Sequence, residues 1–230
     1  MTNGLERLLA SGQDPRWVAP LDCYGSTSAF VSGAIENQPQ DQATPRHVAS
    51  DLYLDRLSNL SWTHTCLLDI FEQQDRLDLH DCKGSKGQHE RAIVRMQEFL
   101  HHYVLRVGDF GETDPQAAEL AGTLATRESI TLLCRKPAMW TGRPAFFLTA
   151  NLLSGYSWAR PDIYLRSEMC PEDASEFAAT LPWTFQVLSP SMSDEQIAAL
   201  VDNSADSDTQ STAFQTLEQT ILAHLENRRT

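Results

Sequence analysis

An α+β fold is the class this sequence predicts: an N-terminal helical hairpin, a small antiparallel sheet and C-terminal helices. Three observations lead there. Across residues 44–107, apolar residues recur at steps of three and four on both sides of a polar loop, the spacing of two amphipathic helices. Residues 130–135 and 145–153 change to a two-residue alternation, the period of a strand. After Ser193 the helical step returns behind a capping signal.

Taken in order, Leu5–Ala10 is long enough for one or two helical turns. Residues 12–33 mix Pro15, Pro20, Gly25 and several serines, and Ser28–Ile35, with Phe30 and Val31, is a candidate strand. Gln38–Thr44 reads as a linker. Thr44-Pro45 opens the first helix of the hairpin: threonine caps free N–H groups, and proline suits the first helical position. Tyr53, Leu57, Leu60, His64, Leu67 and Phe71 then share one face. Leu77–Gly87, with Gly84, Ser85 and Gly87, interrupts the pattern as a loop. Ile93, Met96, Leu100, Tyr103 and Val107 form the second stripe, and Gly108 and Gly111 stop it.

Asp114-Pro115 repeats the cap-plus-proline opening for a third helix to about Arg127. Ile130, Leu132 and Cys134 then alternate with Thr131, Leu133 and Arg135. Ala145–Leu153 carries the strongest strand signal, with Phe146, Leu148, Ala150 and Leu152 on one face and Phe147, Thr149, Asn151 and Leu153 on the other. Asp162–Ser167 is a third strand, with Pro161 at its edge. The connections are too short for parallel crossovers, so the strands should run as an antiparallel meander. Pro171-Glu172-Asp173 opens a short helix, and Trp183–Leu188 reads as a further strand. Ser193 with Gln196 is a capping box, Asp202–Ser211 a polar linker, and Phe214, Leu217, Ile221 and Leu225 the face of the last helix. Regions 1–111, 112–192 and 193–230 follow, as one compact domain or two closely packed subdomains.

Composition narrows the function classes. No apolar run approaches the roughly 20 residues of a membrane helix, and the N-terminus lacks a basic region followed by an apolar one, so neither a membrane role nor a secretory signal is expected. Five cysteines at irregular spacing do not resemble a disulfide framework or a zinc ribbon, which makes a reducing cytoplasm the expected setting. The net charge of −13 opposes nucleic-acid binding and suits a protein partner with a basic surface.

Two groups of residues are candidate sites. Five of the seven histidines, His64, His80, His89, His101 and His102, fall in the hairpin. Glu98 and His101 are three apart, so a helix presents both on one face, where they could share a transition metal. No cofactor is demanded by any complete motif, and a transition metal is the one these side chains would take. Regular helix geometry separates His64 from Cys66, whereas His80 and Cys82 lie at the loop. There is no second Glu-x-x-His, so the alternative reading of these histidines as packing and surface residues stands beside the metal.

The second group reverses the local charge. Between Arg127 and Arg166 six basic residues meet only Glu128 and Asp162, interleaved with aromatics. Arg135, Trp140, Arg143, Tyr156, Trp158 and Arg160 have the composition of a binding patch, to be carried on the exposed face of the sheet. The alternative is that the aromatics are the core of the sheet. Lys83-Gly84-Ser85-Lys86-Gly87 lacks phosphate-loop spacing, and Cys23 has no base placed beside it by sequence. The function these features favour is an acidic binding or regulatory protein, an adaptor, inhibitor or assembly chaperone. A metal-dependent enzyme using the hairpin histidines is the alternative.

Overall fold

The computed structural model describes residues 4–35, 66–107, 127–159 and 169–227. Among these residues there are helices and turns and no strand, so the α+β expectation and its antiparallel sheet are corrected to an all-helical architecture. In chain order the helices are α1 Gly4–Ser11, α2 Tyr24–Ile35, α3 Gln73–His80, α4 Lys86–Val107, α5 Arg127–Arg135, α6 Ala138–Thr141, α7 Phe146–Ala159, α8 Glu176–Ala179, α9 Trp183–Gln186, α10 Asp194–Val201 and α11 Ser207–Asn227.

The error over α7 has a physical cause. Every residue from Phe146 to Ser157 is buried. A helix enclosed on all sides is apolar or small at every position, so it carries no helical stripe, and a two-residue alternation can be picked out of it by chance. The segment read as a strand from Ser28 is the second half of α2, which is enclosed in the same way. In α5 the alternation of Ile130, Leu132 and Cys134 was misleading for another reason. The buried set is Ile130, Leu133 and Cys134, a helical step, while Leu132 faces solvent. Trp183–Leu188, also read as a strand, begins with the short helix α9 behind Pro182.

Helices α2 and α7 cross at the centre with their backbones in contact. A Cβ on Gly33 would lie 1.8 Å from the Leu152 carbonyl oxygen, and one on Gly155 would lie 1.8 Å from that of Phe30. Only glycine allows this approach. The polar side chains of α7 are also matched. Asn151 donates to the Ala19 and Phe147 carbonyls at 2.7 Å and accepts from the Ala19 N–H at 3.0 Å. Ser154 donates to the Trp17 carbonyl at 2.6 Å, and the Trp183 indole donates to Ser157 at 2.8 Å. The α1–α2 connection, with its cis Ala19–Pro20 bond, is thereby fastened to α7.

Two hydrophobic clusters flank this pair. One joins Ile130 and Leu133 of α5 and the first part of α7 to Trp183, Phe185, Ile197, Leu217 and Ile221. In it Phe146 meets Phe185 and Phe214 edge-on, with ring centroids 5.6 and 5.3 Å apart. The other joins Leu5 and Leu8 of α1 with Tyr24, Phe30, Val31, Leu67, Phe71, Leu79, Ile93, Met96 and Leu100.

Several expected elements are present. The Leu5–Ala10 helix is α1, and Ile93, Met96 and Leu100 bury the stripe of α4. Ser193 and Gln196 form both bonds of a capping box at α10. Leu217 and Ile221 of α11 are fully buried, as their spacing requires. Other boundaries move. The first four residues of the supposed loop, from Leu77 to His80, are the end of α3, and the turn into α4 is closed by a second capping box, Ser85 with Gln88. The helix expected at Pro171 starts later, at Glu176, because Ser175 supplies the cap, accepting from Ala178 N at 3.0 Å. The polar linker after Asp202 is shorter than expected, with α11 beginning at Ser207. The first helix of the hairpin up to residue 65, the third helix and the strand at 162–167 lie outside the described residues.

Candidate functional site

The turn between α3 and α4 meets the start of α2, and there Cys23 and Cys82 are joined by a disulfide, with their Cα atoms 5.4 Å apart. The pairing corrects the expectation that the cysteines stand alone. Cys23 immediately precedes α2, and its carbonyl accepts the first helical bond from Thr27 N at 3.1 Å. It is only 4% exposed, while Cys82 is half-buried and takes a left-handed backbone conformation with φ 58°. Ser26 Oγ lies 3.8 Å from the Cys82 sulfur.

Other contacts hold the same corner. A Cβ on Gly25 would lie 2.1 Å from the His80 carbonyl oxygen, so α2 rests directly on the end of α3. His80 Nε2 bonds the Thr141 carbonyl at 2.7 Å. Asp81, with a side chain 10% exposed, pairs with Arg143 and, at 3.5 Å, with Lys83. The Tyr24 N–H donates to His89 Nδ1 at 3.2 Å. Burial holds His80 below the ordinary histidine range, outweighing the opposing pull of the Thr141 carbonyl, and burial lowers His89 too. Both are neutral packing histidines.

A second feature lies on the outer face of α4. Glu90, Val94 and Glu98 stand one turn apart, with Arg91 and Arg95 beside them, and Ile70 faces them across an open groove of about 410 Å³. Two apolar and four charged side chains line it. Ile70 is 46% and Val94 52% exposed, uncommon for side chains of this kind. Arg95 is held by Asp69 at 2.5 Å and Glu98 at 3.4 Å, and Arg91 lies over the Phe71 ring, 5.2 Å from its centroid. A wider groove of about 520 Å³ runs between α5 and α11, lined in part by Arg135, Ser211, Phe214 and Glu218.

The residues predicted as one Arg/aromatic patch are distributed over several surroundings, and the sheet that was to carry them is absent among the described residues. Arg135 projects from α5 at 3.8 Å from Glu218. Trp140 is half-buried against the first cluster, its indole N–H enclosed with no hydrogen-bond partner among the described residues. Arg143 is occupied by Asp81. Tyr156 is fully buried in the first cluster, whereas Trp158 packs with the second, its ring edge-on to Phe30 at 6.2 Å. Arg160 lies outside the described residues.

Of the predicted metal pair, Glu98 and His101 both stand on the exposed part of α4, and Glu98 pairs with Arg95. Among the described residues no group of three or more His, Cys, Asp and Glu side chains gathers as a metal-holding set. Cys82 is committed to sulfur, and burial pushes the Cys66 and Cys134 thiols up to about 12, which keeps them protonated. Among the described residues no helix is long and apolar enough to cross a membrane.

Sequence reasoning missed both the disulfide and the groove. An odd number of cysteines conceals a single pair formed across 59 positions. Val94 did offer a signal: it is an apolar residue standing off the Ile93–Met96–Leu100 stripe. No family model, curated protein or solved structure matches the chain.

Proposed function

We propose that the chain is a protein-binding module of adaptor, inhibitor or assembly-chaperone type, and that the α4 groove is its recognition surface. The carrying observation is the exposure of Ile70 and Val94 in a groove rimmed by Glu90, Arg91, Arg95 and Glu98. The occupant that fits is an amphipathic helix presenting an apolar ridge at steps of three and four. Basic residues flanking that ridge would meet the chain's net charge of −13, since within the groove Glu90 and Glu98 are matched by Arg91 and Arg95.

Selection of a helical-peptide library on the intact chain tests this reading. Enriched peptides should carry apolar anchors with basic flanks and lose binding to Val94→Glu, a variant expected to keep its thermal midpoint because the side chain is exposed. Peptides that bind the Val94→Glu chain equally well would refute it.

The cytoplasmic setting expected from sequence is compatible with an exchangeable Cys23–Cys82 bond, whereas a permanent bond would point to an oxidising compartment.

A further inference from the structure

We infer that the Cys23–Cys82 corner is a thiol–disulfide exchange centre, in which Cys82 is the sulfur attacked by a small thiol such as glutathione. Three features carry the inference. Access is one-sided: Cys82 is half-buried, and Cys23 is shut in at 4% exposure. An incoming thiolate therefore reaches Cys82 first.

The leaving sulfur is equally well placed. Cys23 immediately precedes a twelve-residue helix, whose dipole favours a thiolate there against the cost of burial. Finally, the S–S bond does not hold the corner alone: the His80–Thr141 and Tyr24–His89 hydrogen bonds, the Asp81–Arg143 ion pair and the Gly25–His80 contact join the same elements.

The first step forms a bond between the thiol sulfur and Cys82 Sγ and breaks Cys82–Cys23, with the electron pair leaving on Cys23 Sγ. From there Cys23 can re-attack Cys82 and expel the small thiolate. Alternatively, a second thiolate attacks the mixed disulfide, releasing the oxidised small thiol and completing a two-electron reduction of the pair.

The test uses the full chain under native conditions with glutathione as probe, acid quenching and peptide mass mapping. Cys23→Ala should take up glutathione from its oxidised form on Cys82. Cys82→Ala should take it up on Cys23 about tenfold more slowly or not at all. For the unmodified chain, reduction by glutathione should proceed at a rate independent of urea below the unfolding transition. Equal reaction at the two sulfurs, or an adduct mainly on Cys23, would overturn the assignment. So would a reduction rate that climbs with urea, because the bond would then open only through unfolding.

Discussion

Removing the Cys23–Cys82 bond should lower stability by an amount the fold makes calculable. The bond closes a loop spanning 59 positions. Cross-linking over that length withdraws conformational entropy from the unfolded chain worth about 4 kcal/mol at room temperature. For a chain of this size each kcal/mol moves the thermal midpoint by about 2–4 °C, so the shift should fall near 8–16 °C. The perturbation is the pair Cys23→Ala with Cys82→Ala, followed by circular dichroism on heating. A phosphine reductant added to the unmodified chain should produce a similar drop, because Cys66, Cys134 and Cys170 contribute no cross-link. The same reductant should leave the double variant unchanged. A loss under about 3 °C in both experiments would show that the unfolded chain is already confined near this corner, and the entropy argument would fail.

Gly33→Ala and Gly155→Ala each press a Cβ into a carbonyl of the facing helix, and each should cost about 3 kcal/mol or more in urea unfolding. Gly87→Ala, at the start of α4 with nothing within 4 Å, should instead be neutral or stabilise by up to about 1 kcal/mol; equal effects at all three positions would contradict the packing described. Stability should also depend on pH through His80 and His89, whose folded values lie below the ordinary 6.5. The unfolded chain then binds more protons as pH falls through 6.5, so the urea midpoint should be level above that point and decline below it. His80→Gln should flatten the decline, and a midpoint that rises on acidification to about pH 5 would refute this.

The legibility of the fold in the sequence followed the amount of solvent each helix sees. Helices with one wet face announced themselves: α4 through Ile93, Met96 and Leu100, and α11 through Leu217 and Ile221. The α10 capping box was readable because it is local, with both partners within four residues. The enclosed helices α2 and α7 gave no such signal. Their glycines and serines, which look like loop or strand-breaking residues, are the small side chains that let two backbones touch. Sites fared less well, since they depend on contacts far apart in sequence. Nothing local links Cys23 to Cys82, or Asp81 to Arg143.

The α2–α7 crossing also sets a timetable for synthesis. Asn151 and the Ala19 backbone it fastens are 132 residues apart. A ribosome adding about 5–20 residues per second needs about 7–26 seconds to cover that distance. Throughout that interval α2, with apolar and small residues all round, has no α7 to lie against. The nascent chain therefore presents an unpaired hydrophobic segment early and for long, which makes it a natural client for chaperones that bind exposed apolar stretches. Its yield in a cell should depend more on their supply than on the stability of the finished fold.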